Sequence, residues 1–286
     1  MYKGLFVGLV TLDLIYLSES SLQNNQKITA TDYITVAGGP STNAGVTFSH
    51  LGNIATVAGV IGSHPITQLI NNDLNDVKVK IFDLKPTNYN PPPISSIIVS
   101  QETGERAVIS INTLGIEASS NCLPKNILND VGIILIDGHQ MEVSREIAIA
   151  AKNQNITVVI DGGSWKLGFE KILPYVDYAI CSSDFFPPNC HQEKDIFNYL
   201  RSFNIPHIAI THGEQPITYS ADEIIDCINI PKVTTLDTLG AGDVFHGAFC
   251  HYILLYGFNF PEALTAAANI ASFSCSSFGT RNWMKI

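Results

Sequence analysis

The sequence predicts an α/β protein with three layers, in which helices cover both faces of a mostly parallel sheet, and with a small β-sheet beside it. From Val131 onward, apolar runs of strand length alternate with helical segments, which is typical of parallel strands joined by right-handed crossovers. Two β-type runs around the polar turn at 101–105 predict a hairpin, which joins strands from 16–36 in the smaller sheet. The length of 286 residues suits one large domain, or a domain with an appendage.

The composition excludes several classes of protein. With 45% hydrophobic and 15% charged residues, the chain is globular rather than disordered. The formal net charge of −10 argues against nucleic acid as the main partner, because binding a polyanion needs a basic surface. The six cysteines include no pair at CxxC or zinc-site spacing, and no run of about 18 apolar residues predicts a membrane span. The first residues are typical of a strand and not of a signal peptide, so we expect a cytoplasmic, reduced protein.

The first half of the chain places polar groups at the edge of the predicted sheet. The continuous apolar run at 5–10 predicts a buried central strand, and Asp13 follows it, where open α/β sheets bind ligands. Gly38 and Gly39 lead into a helix that Gly52 ends. The other predicted elements are two short strands within 16–36, a strand at 54–61, a helix at 65–76, a strand at 77–84 and hairpin strands at 94–99 and 106–111.

The second half of the chain has a regular order of elements. Its predicted strands are 132–136, 156–160, 178–181 and 207–211, followed by a hairpin within 216–230. Its predicted helices are 142–153, 192–203, one that starts at about 243 and ends before Gly257, and a closing helix at 261–277.

The stretch Asp237–Asp243 is the strongest functional signal. Gly240 and Gly242 flank Ala241, so the backbone can turn tightly and present bare N–H groups. A helix follows directly, and a helix N-terminus favours an anion. A dinucleotide-binding loop would need a third glycine where Phe245 stands, and no Gly-Lys-Ser/Thr of a Walker loop occurs in the chain. The stretch therefore predicts a phosphate cradle with a carboxylate beside it, which suits phosphoryl transfer to a hydroxyl.

Two motifs together resemble those of the ribokinase-like (PfkB) carbohydrate kinase family. The first is Gly38-Gly39-x-x-x-Asn43, and the second is Asp237-Thr238-x-Gly240-Ala241-Gly242-Asp243, about 200 residues later. Asp13 after the first strand and Thr211-x-Gly213 after a late strand are similar as well. The resemblance spans nearly the whole chain.

The resemblance implies a role for each matching residue. Asp243 would be the base toward a sugar hydroxyl, and the N–H groups of the preceding turn would form the anion hole, which gives the catalytic set Asp243, Gly240, Ala241 and Gly242. The implied sugar-binding residues are Asp13, Gly38, Gly39 and Asn43. The implied nucleotide-binding residues are Ser183, Thr211, Gly213, Gly240 and Gly242.

The resemblance also implies ATP with Mg²⁺ and, at Asp237 with carbonyl groups near Gly279, a monovalent cation such as K⁺. Family members often carry Asn-x-x-Glu after the strand at 178–181, whereas this chain has Ser182-Ser183-Asp184-Phe185-Phe186. Because of that departure, the resemblance does not indicate which residues form the outer shell of the magnesium.

We therefore expect a kinase that phosphorylates a hydroxyl of a small sugar or sugar-like alcohol. The resemblance divides the chain into a kinase core (1–13, 37–92 and 113–286) and a β lid (14–36 and 93–112), whose exposed strands could pair in a homodimer. A nucleoside kinase with the same motifs is one alternative. A non-catalytic sugar or nucleotide sensor of the same fold is the other, although a pure binder has no need of Asp243 as a base.

Overall fold

The structure is a computed structural model that describes residues 1–20, 25, 27–111, 116–221 and 224–285. The strands of these residues are β1 (Lys3–Val7), β2 (Thr11–Ser18), β3 (Asp32–Gly38), β4 (Ile54–Gly59), β5 (Lys80–Asp83), β6 (Ile94–Ser100), β7 (Arg106–Ser110), β8 (Ile133–Ile136), β9 (Thr157–Gly162), β10 (Tyr178–Ser182), β11 (His207–His212), β12 (Gln215–Ala221) and β13 (Ile224–Ile228). The α-helices are α1 (Pro40–His50), α2 (Thr67–Asp76), α3 (Met141–Asn153), α4 (Glu193–Arg201), α5 (Ala241–Leu255) and α6 (Phe260–Ser274).

The larger sheet is mostly parallel. Within the described residues it has nine strands in the order β13-β12-β11-β10-β9-β8-β1-β4-β5. The strands from β11 to β5 are parallel to their neighbours, and the hairpin of β12 and β13 adds two antiparallel strands at one edge. This arrangement confirms the predicted fold class.

Helices cover both faces of this sheet, because its central strands are apolar on both sides. In β1, Phe6 packs into one core with α1, α2, α5 and α6, whereas Leu5 and Val7 pack into a second core with α3 and α4. Ile133 and Ile134 of β8 divide between the two cores in the same way. Successive side chains of a strand point to opposite faces, so a strand buried on both faces is a continuous apolar run.

The order of the strands defines where polar groups collect. The chain adds strands on one side of β1 through β4 and β5, and on the other side from β8 onward, so the winding reverses between β1 and β8. Ligands of open α/β sheets bind outside the carboxyl ends of the strands at such a reversal. The loops after these strands are therefore the place to look for a site.

The smaller sheet packs against the segment that leads into α5. Its four described strands have the order β3-β2-β6-β7. Ile15, Ile97 and Val99 form its inner core with Phe278 of the C-terminal segment, and Leu239 packs on the same cluster. Apolar contact thus joins the smaller sheet to the predicted phosphate-binding stretch.

The prediction that the first strand runs to Val10 and places Asp13 just past its end is wrong. β1 ends at Val7, and Asp13 is the third residue of β2, which belongs to the smaller sheet. Apolar burial continues from Val7 to Leu12 because the connecting loop is buried, and continuous burial in a loop gives the same pattern as a strand.

The predicted division of the chain differs from the strand boundaries. The boundary between 13 and 14 falls inside β2, and the boundary between 36 and 37 falls inside β3. Residues 21–24, 26, 112–115, 222–223 and 286, on which parts of the predicted segments fall, lie outside the described residues. The division into core and lid stays a prediction.

Gly247 allows α1 and α5 to pack closely. A Cβ at this position would lie 2.2 Å from the carbonyl oxygen of Ala44, which is a backbone atom and cannot rotate away. We expect Gly247→Ala to lower the free energy of unfolding by about 1–3 kcal/mol, since overpacking a core forces backbone shifts. Urea denaturation measures this change. In the control variant Gly132→Ala the nearest atom lies at 3.9 Å. The control should stay within about 0.5 kcal/mol of the wild type, and equal effects of the two changes would contradict the packing argument.

Candidate active site

The N-terminus of α5 is open to an incoming anion. Gly240 is the N-cap residue, with φ of +70° in the left-handed region that glycine adopts without strain. The Ala241 N–H donates to the Thr238 carbonyl at 3.3 Å, whereas the N–H groups of Gly240 and Gly242 have no acceptor in the described part of the chain. A Cβ on Gly242 would meet no atom within 4 Å. Two of the three predicted anion-hole N–H groups are thus free to bind.

Asp243 lies in the first turn of α5 and contacts the other motif directly. Its Oδ2 accepts a hydrogen bond from Asn43 Nδ2 at 2.9 Å. Asn43 lies on α1, which packs along α5, and its side chain is buried. The two motifs that the sequence separates by 200 residues therefore meet in one site.

Burial and neighbouring carboxylates make Asp243 a stronger base than an ordinary aspartate. Burial, together with the negative charges of Asp161 and Asp137, raises the pKa of Asp243 to about 7. The hydrogen bond from Asn43 and the ring of His246 act in the opposite direction. A group with a pKa near the working pH is well suited to accept a proton from an alcohol.

The predicted sugar-binding residues Asp13, Gly38 and Gly39 are adjacent. Thr11 Oγ1 donates to Asp13 Oδ1 at 2.6 Å, and a Cβ on Gly38 would fall 1.9 Å from Asp13 Oδ2. Gly39 has φ of +99°, and a Cβ there would lie 2.3 Å from the carbonyl oxygen of Leu9. Burial raises the pKa of Asp13 above its ordinary value, and hydrogen bonds from the hydroxyl groups of Thr11 and Ser95 reduce this rise. The Asp13 carboxylate and the Leu9 carbonyl thus fill the space that side chains at 38 and 39 would need.

Asp137 and Asp161 are carboxylates that the site prediction missed. Asp137 follows β8, is buried, and accepts hydrogen bonds from the N–H groups of Leu9 at 2.9 Å and Ser41 at 3.1 Å. It thereby holds the first turn of α1 against the loop after β1. Although its burial would raise the pKa of Asp137, the charge and hydrogen bonds of His139 keep that pKa well below its usual range.

Asp161 is the penultimate residue of β9, and its charge acts on Asp243. His246 Nδ1 is 3.6 Å from Asp161 Oδ2 and 2.7 Å from the carbonyl oxygen of Gly242, and His246 Nε2 is 3.2 Å from that of Ile180. The ring thus joins α5 to β9 and β10. A carboxylate directly after an apolar run of strand length is the sequence signal that both Asp137 and Asp161 carry.

The predicted nucleotide-binding residues lie at the carboxyl ends of neighbouring strands. Ser183, just after β10, is exposed, and its N–H donates to the carbonyl oxygen of Thr211 on β11 at 2.9 Å. Gly213 is exposed, with φ of +63°, in the tight turn between β11 and β12. His212, which separates Thr211 from Gly213 in the chain, pairs with Glu193 at 3.1 Å, so its side chain is turned toward α4. The structure therefore brings these three residues together on one exposed rim.

Asp237 is held rigidly next to the C-terminal segment. Its Oδ1 accepts from the Leu239 N–H and its Oδ2 from the Gly279 N–H, each at 2.8 Å. Burial raises the pKa of Asp237, and these hydrogen bonds together with the charge of Arg106 oppose that rise. A carboxylate has about four acceptor directions, so these two bonds leave capacity for a cation. Among the described residues, no cluster of three or more His, Cys, Asp or Glu side chains could hold a metal ion.

Arg106 links the smaller sheet to the phosphate-binding stretch. It is exposed on β7, and its Nη1 donates to Thr238 Oγ1 at 2.6 Å. We expect Arg106→Ala to lower kcat/KM by about 2–10-fold, since one such hydrogen bond contributes roughly 0.5–1.5 kcal/mol. Steady-state kinetics measure the loss. Lys125→Ala, which removes an exposed cation elsewhere, is the control, and an equal loss there would contradict a specific role for Arg106.

No helix in the described ranges is both long and apolar enough to cross a membrane.

The fold and the helix terminus with its adjoining carboxylate suit the transfer of a phosphoryl group to an alcohol. The comparison with protein families agrees with this class of reaction. The model of the pfkB family of carbohydrate kinases matches residues 1–286. The chain belongs to this family and is a carbohydrate kinase.

Three relatives illustrate the match. The ribokinase of Bacillus subtilis (strain 168) is 24% identical over 290 residues, which cover 97% of this chain and 94% of the relative. The structure of Arabidopsis thaliana ribokinase with ribose and ATP has a TM-score of 0.75 at 19% identity, and covers 100% of this chain and 99% of that one. An E. coli protein described as a ribokinase II, with ATP and Mg²⁺, has a TM-score of 0.82 at 17% identity, and covers 99% of this chain and 96% of that one.

Proposed function

We propose that the protein transfers the terminal phosphoryl group of ATP to a hydroxyl of a small sugar, with Asp243 as the general base. The contact between Asp243 and Asn43 at 2.9 Å is the observation that carries this proposal. It sets the carboxylate at the junction of the open α5 terminus and the segment that contains Gly38 and Gly39. A base must reach the proton of the acceptor hydroxyl while the oxygen of that hydroxyl faces the terminal phosphorus, and a carboxylate at this junction would lie beside the hydroxyl.

Each polar group around Asp243 would have its own role in the transfer. Asn43 occupies one carboxylate oxygen, Oδ2, which leaves Oδ1 to orient the alcohol and accept its proton. The free N–H groups of Gly240 and Gly242 receive the negative charge that develops on the transferred group. Mg²⁺, when bound with ATP, would neutralise part of the charge on the phosphates. Ser183, Thr211 and Gly213 would bind the nucleotide from the rim of β10 and β11.

The sugar would lie between Asp243 and the buried carboxylate of Asp13. Asp13 keeps acceptor capacity for two neighbouring hydroxyl groups of the sugar, because the hydroxyls of Thr11 and Ser95 use two of the about four acceptor directions of its carboxylate. Because Gly38 has no Cβ, the Asp13 carboxylate lies directly against the backbone of this segment, beside which the sugar would bind. The relatives named ribokinase support a sugar as the acceptor. A monovalent cation such as K⁺ would bind at Asp237 with carbonyl groups near Gly279.

The smaller sheet is our candidate for the lid that excludes water from the site, since it packs on Leu239 next to the anion hole. The homodimer through this sheet stays a prediction, and so does the cytoplasmic location. Val108 and Ile109 on the edge strand β7 are 50% and 74% exposed, which suits pairing with a second copy.

A coupled assay of ADP release tests the proposal across pentoses, hexoses, sulfo-sugars, inositols and nucleosides. We expect release with one or a few sugars that depends on Mg²⁺ and is lost in Asp243→Asn. Release with nucleosides alone would point to the nucleoside kinase, and no release above background with any acceptor would overturn the proposal.

A further inference from the structure

We propose that Arg281 is a positioning residue for Asp243, because it fixes the side-chain amide of Asn43 in the one orientation that donates to the base. The catalytic meaning of this contact rests on the proposed function, whereas the contact itself can be tested without any activity.

Arg281 is a buried cation in the segment after α6, and it contacts two elements of the site. Its Nη1 donates to Asn43 Oδ1 at 3.0 Å and to Thr280 Oγ1 at 3.0 Å. Its Nη2 donates to the Ala37 carbonyl at 2.6 Å and to Asp73 Oδ2 at 3.2 Å. Only 6% of the residue is exposed. The guanidinium therefore lies between the segment that contains Gly38 and the residue that contacts the base.

The chemistry of the guanidinium decides which way the Asn43 amide points. An arginine side chain only donates hydrogen bonds, so the atom of Asn43 that faces it must be the oxygen. The NH₂ group is then forced toward Asp243, where it donates to Oδ2 at 2.9 Å. With the amide reversed, two donors would face each other at Arg281 and two acceptors would face each other at Asp243. Arg281 thus stabilises the charged form of the base through an intermediate side chain.

Asp73 holds the guanidinium in place. Its Oδ2 accepts from the Ala37 N–H at 3.0 Å as well as from Arg281. Asp73 thus binds the N–H of Ala37 while Arg281 binds the carbonyl of the same residue. Arg281 and Asp73 act in opposite directions on the pKa of Asp13. The largest charge effects on the pKa of Asp243 itself come from Asp161, His246 and Asp137. Because Asn43 lies between Arg281 and Asp243 and contacts both, we expect the effect of Arg281 on Asp243 to need Asn43.

A double-mutant cycle read by NMR tests the proposal. The titration of the Asp243 carboxyl carbon, assigned by its loss in Asp243→Asn, is followed in protein with ¹³C-labelled aspartate. We expect R281M to raise the pKa of Asp243 by about one unit when Asn43 is present, and to leave it unchanged in the N43A background. R281K should give a smaller rise with Asn43 present, since one ammonium group must serve several acceptors, and none in N43A.

The outcomes separate the proposal from its alternatives. Equal shifts in the Asn43 and N43A backgrounds would mean that the charge acts through space, and no shift in either would mean a role in folding only; both overturn the proposal. If R281M does not fold, R281K in the two backgrounds decides by the same criteria.

Activity is a separate readout of the same variants. In kinetics, R281M should lower kcat/KM at pH 7 by about tenfold and recover part of this loss at higher pH. If the titrations shift as expected but no acceptor supports ADP release, the proposed function fails and the positioning role remains.

Discussion

Asp243→Asn should lower kcat by about 10²–10⁴-fold, because an amide cannot accept the proton of the acceptor hydroxyl. The variant keeps the shape of the side chain and can still take the hydrogen bond from Asn43 through its amide oxygen. The KM values for sugar and ATP should change little, since the loss falls on a contact made in the transition state. Steady-state kinetics with the sugar found in the panel measure this effect. Near-normal turnover would remove Asp243 from the role of base.

A stability measurement separates this loss from unfolding. Because the pKa of Asp243 is raised to about 7 in the folded protein, the native state binds more protons than the unfolded state between about pH 4 and pH 7. The free energy of unfolding therefore falls as the pH rises through this window, and Asp243 destabilises the fold most above pH 7.

Asp243→Asn should thus be more stable than the wild type at pH 8, by on the order of 1–3 kcal/mol, while it is less active. Asp130→Asn is the matched control, since Asp130 is exposed and, among the residues that the structure describes, forms an ion pair only with Lys3 at the opposite end of the sheet. It should change neither property, and lower stability of Asp243→Asn would contradict the electrostatic argument.

Local patterns were enough to predict the layers of the fold and the two motifs. The alternation of apolar runs with helical segments predicts the parallel sheet, because a strand that is buried on both faces is a continuous apolar run in the sequence. The glycines before α5 indicate the proposed anion site, because glycine adopts the positive φ of Gly240 without strain. These signals lie within a few residues of the feature that they predict.

Contacts between distant segments could not be predicted in this way. Asp13 was placed past a core strand because the run from Leu5 to Val10 is apolar throughout, yet pairing with β3 and β6 draws Asp13 into the smaller sheet. Arg281 and Asp73 lie 208 residues apart and have no motif around them. Their contact depends on how α2 packs against the C-terminal segment, and no local sequence pattern predicts that packing.

The raised pKa of Asp243 should appear directly in the pH dependence of the reaction. The value of kcat/KM for the sugar reports the free enzyme, and only the ionised carboxylate acts as a base. Since the pKa is about 7, kcat/KM should fall tenfold per pH unit below it. At pH 5 it should therefore be about 100-fold below its plateau.

The variant Asp161→Asn identifies the group whose protonation lowers kcat/KM at low pH. The negative charge of Asp161 raises the pKa of Asp243, so its removal should move the midpoint to lower pH. Titration of ATP itself would not respond to this substitution, and neither would a group outside the site. A profile that is flat from pH 5 to 8, or a midpoint that stays in place in Asp161→Asn, would mean that another group accepts the proton. Such a shift would link the proposed base to the carboxylate of Asp161 near the end of β9, and no motif in the sequence connects these two residues.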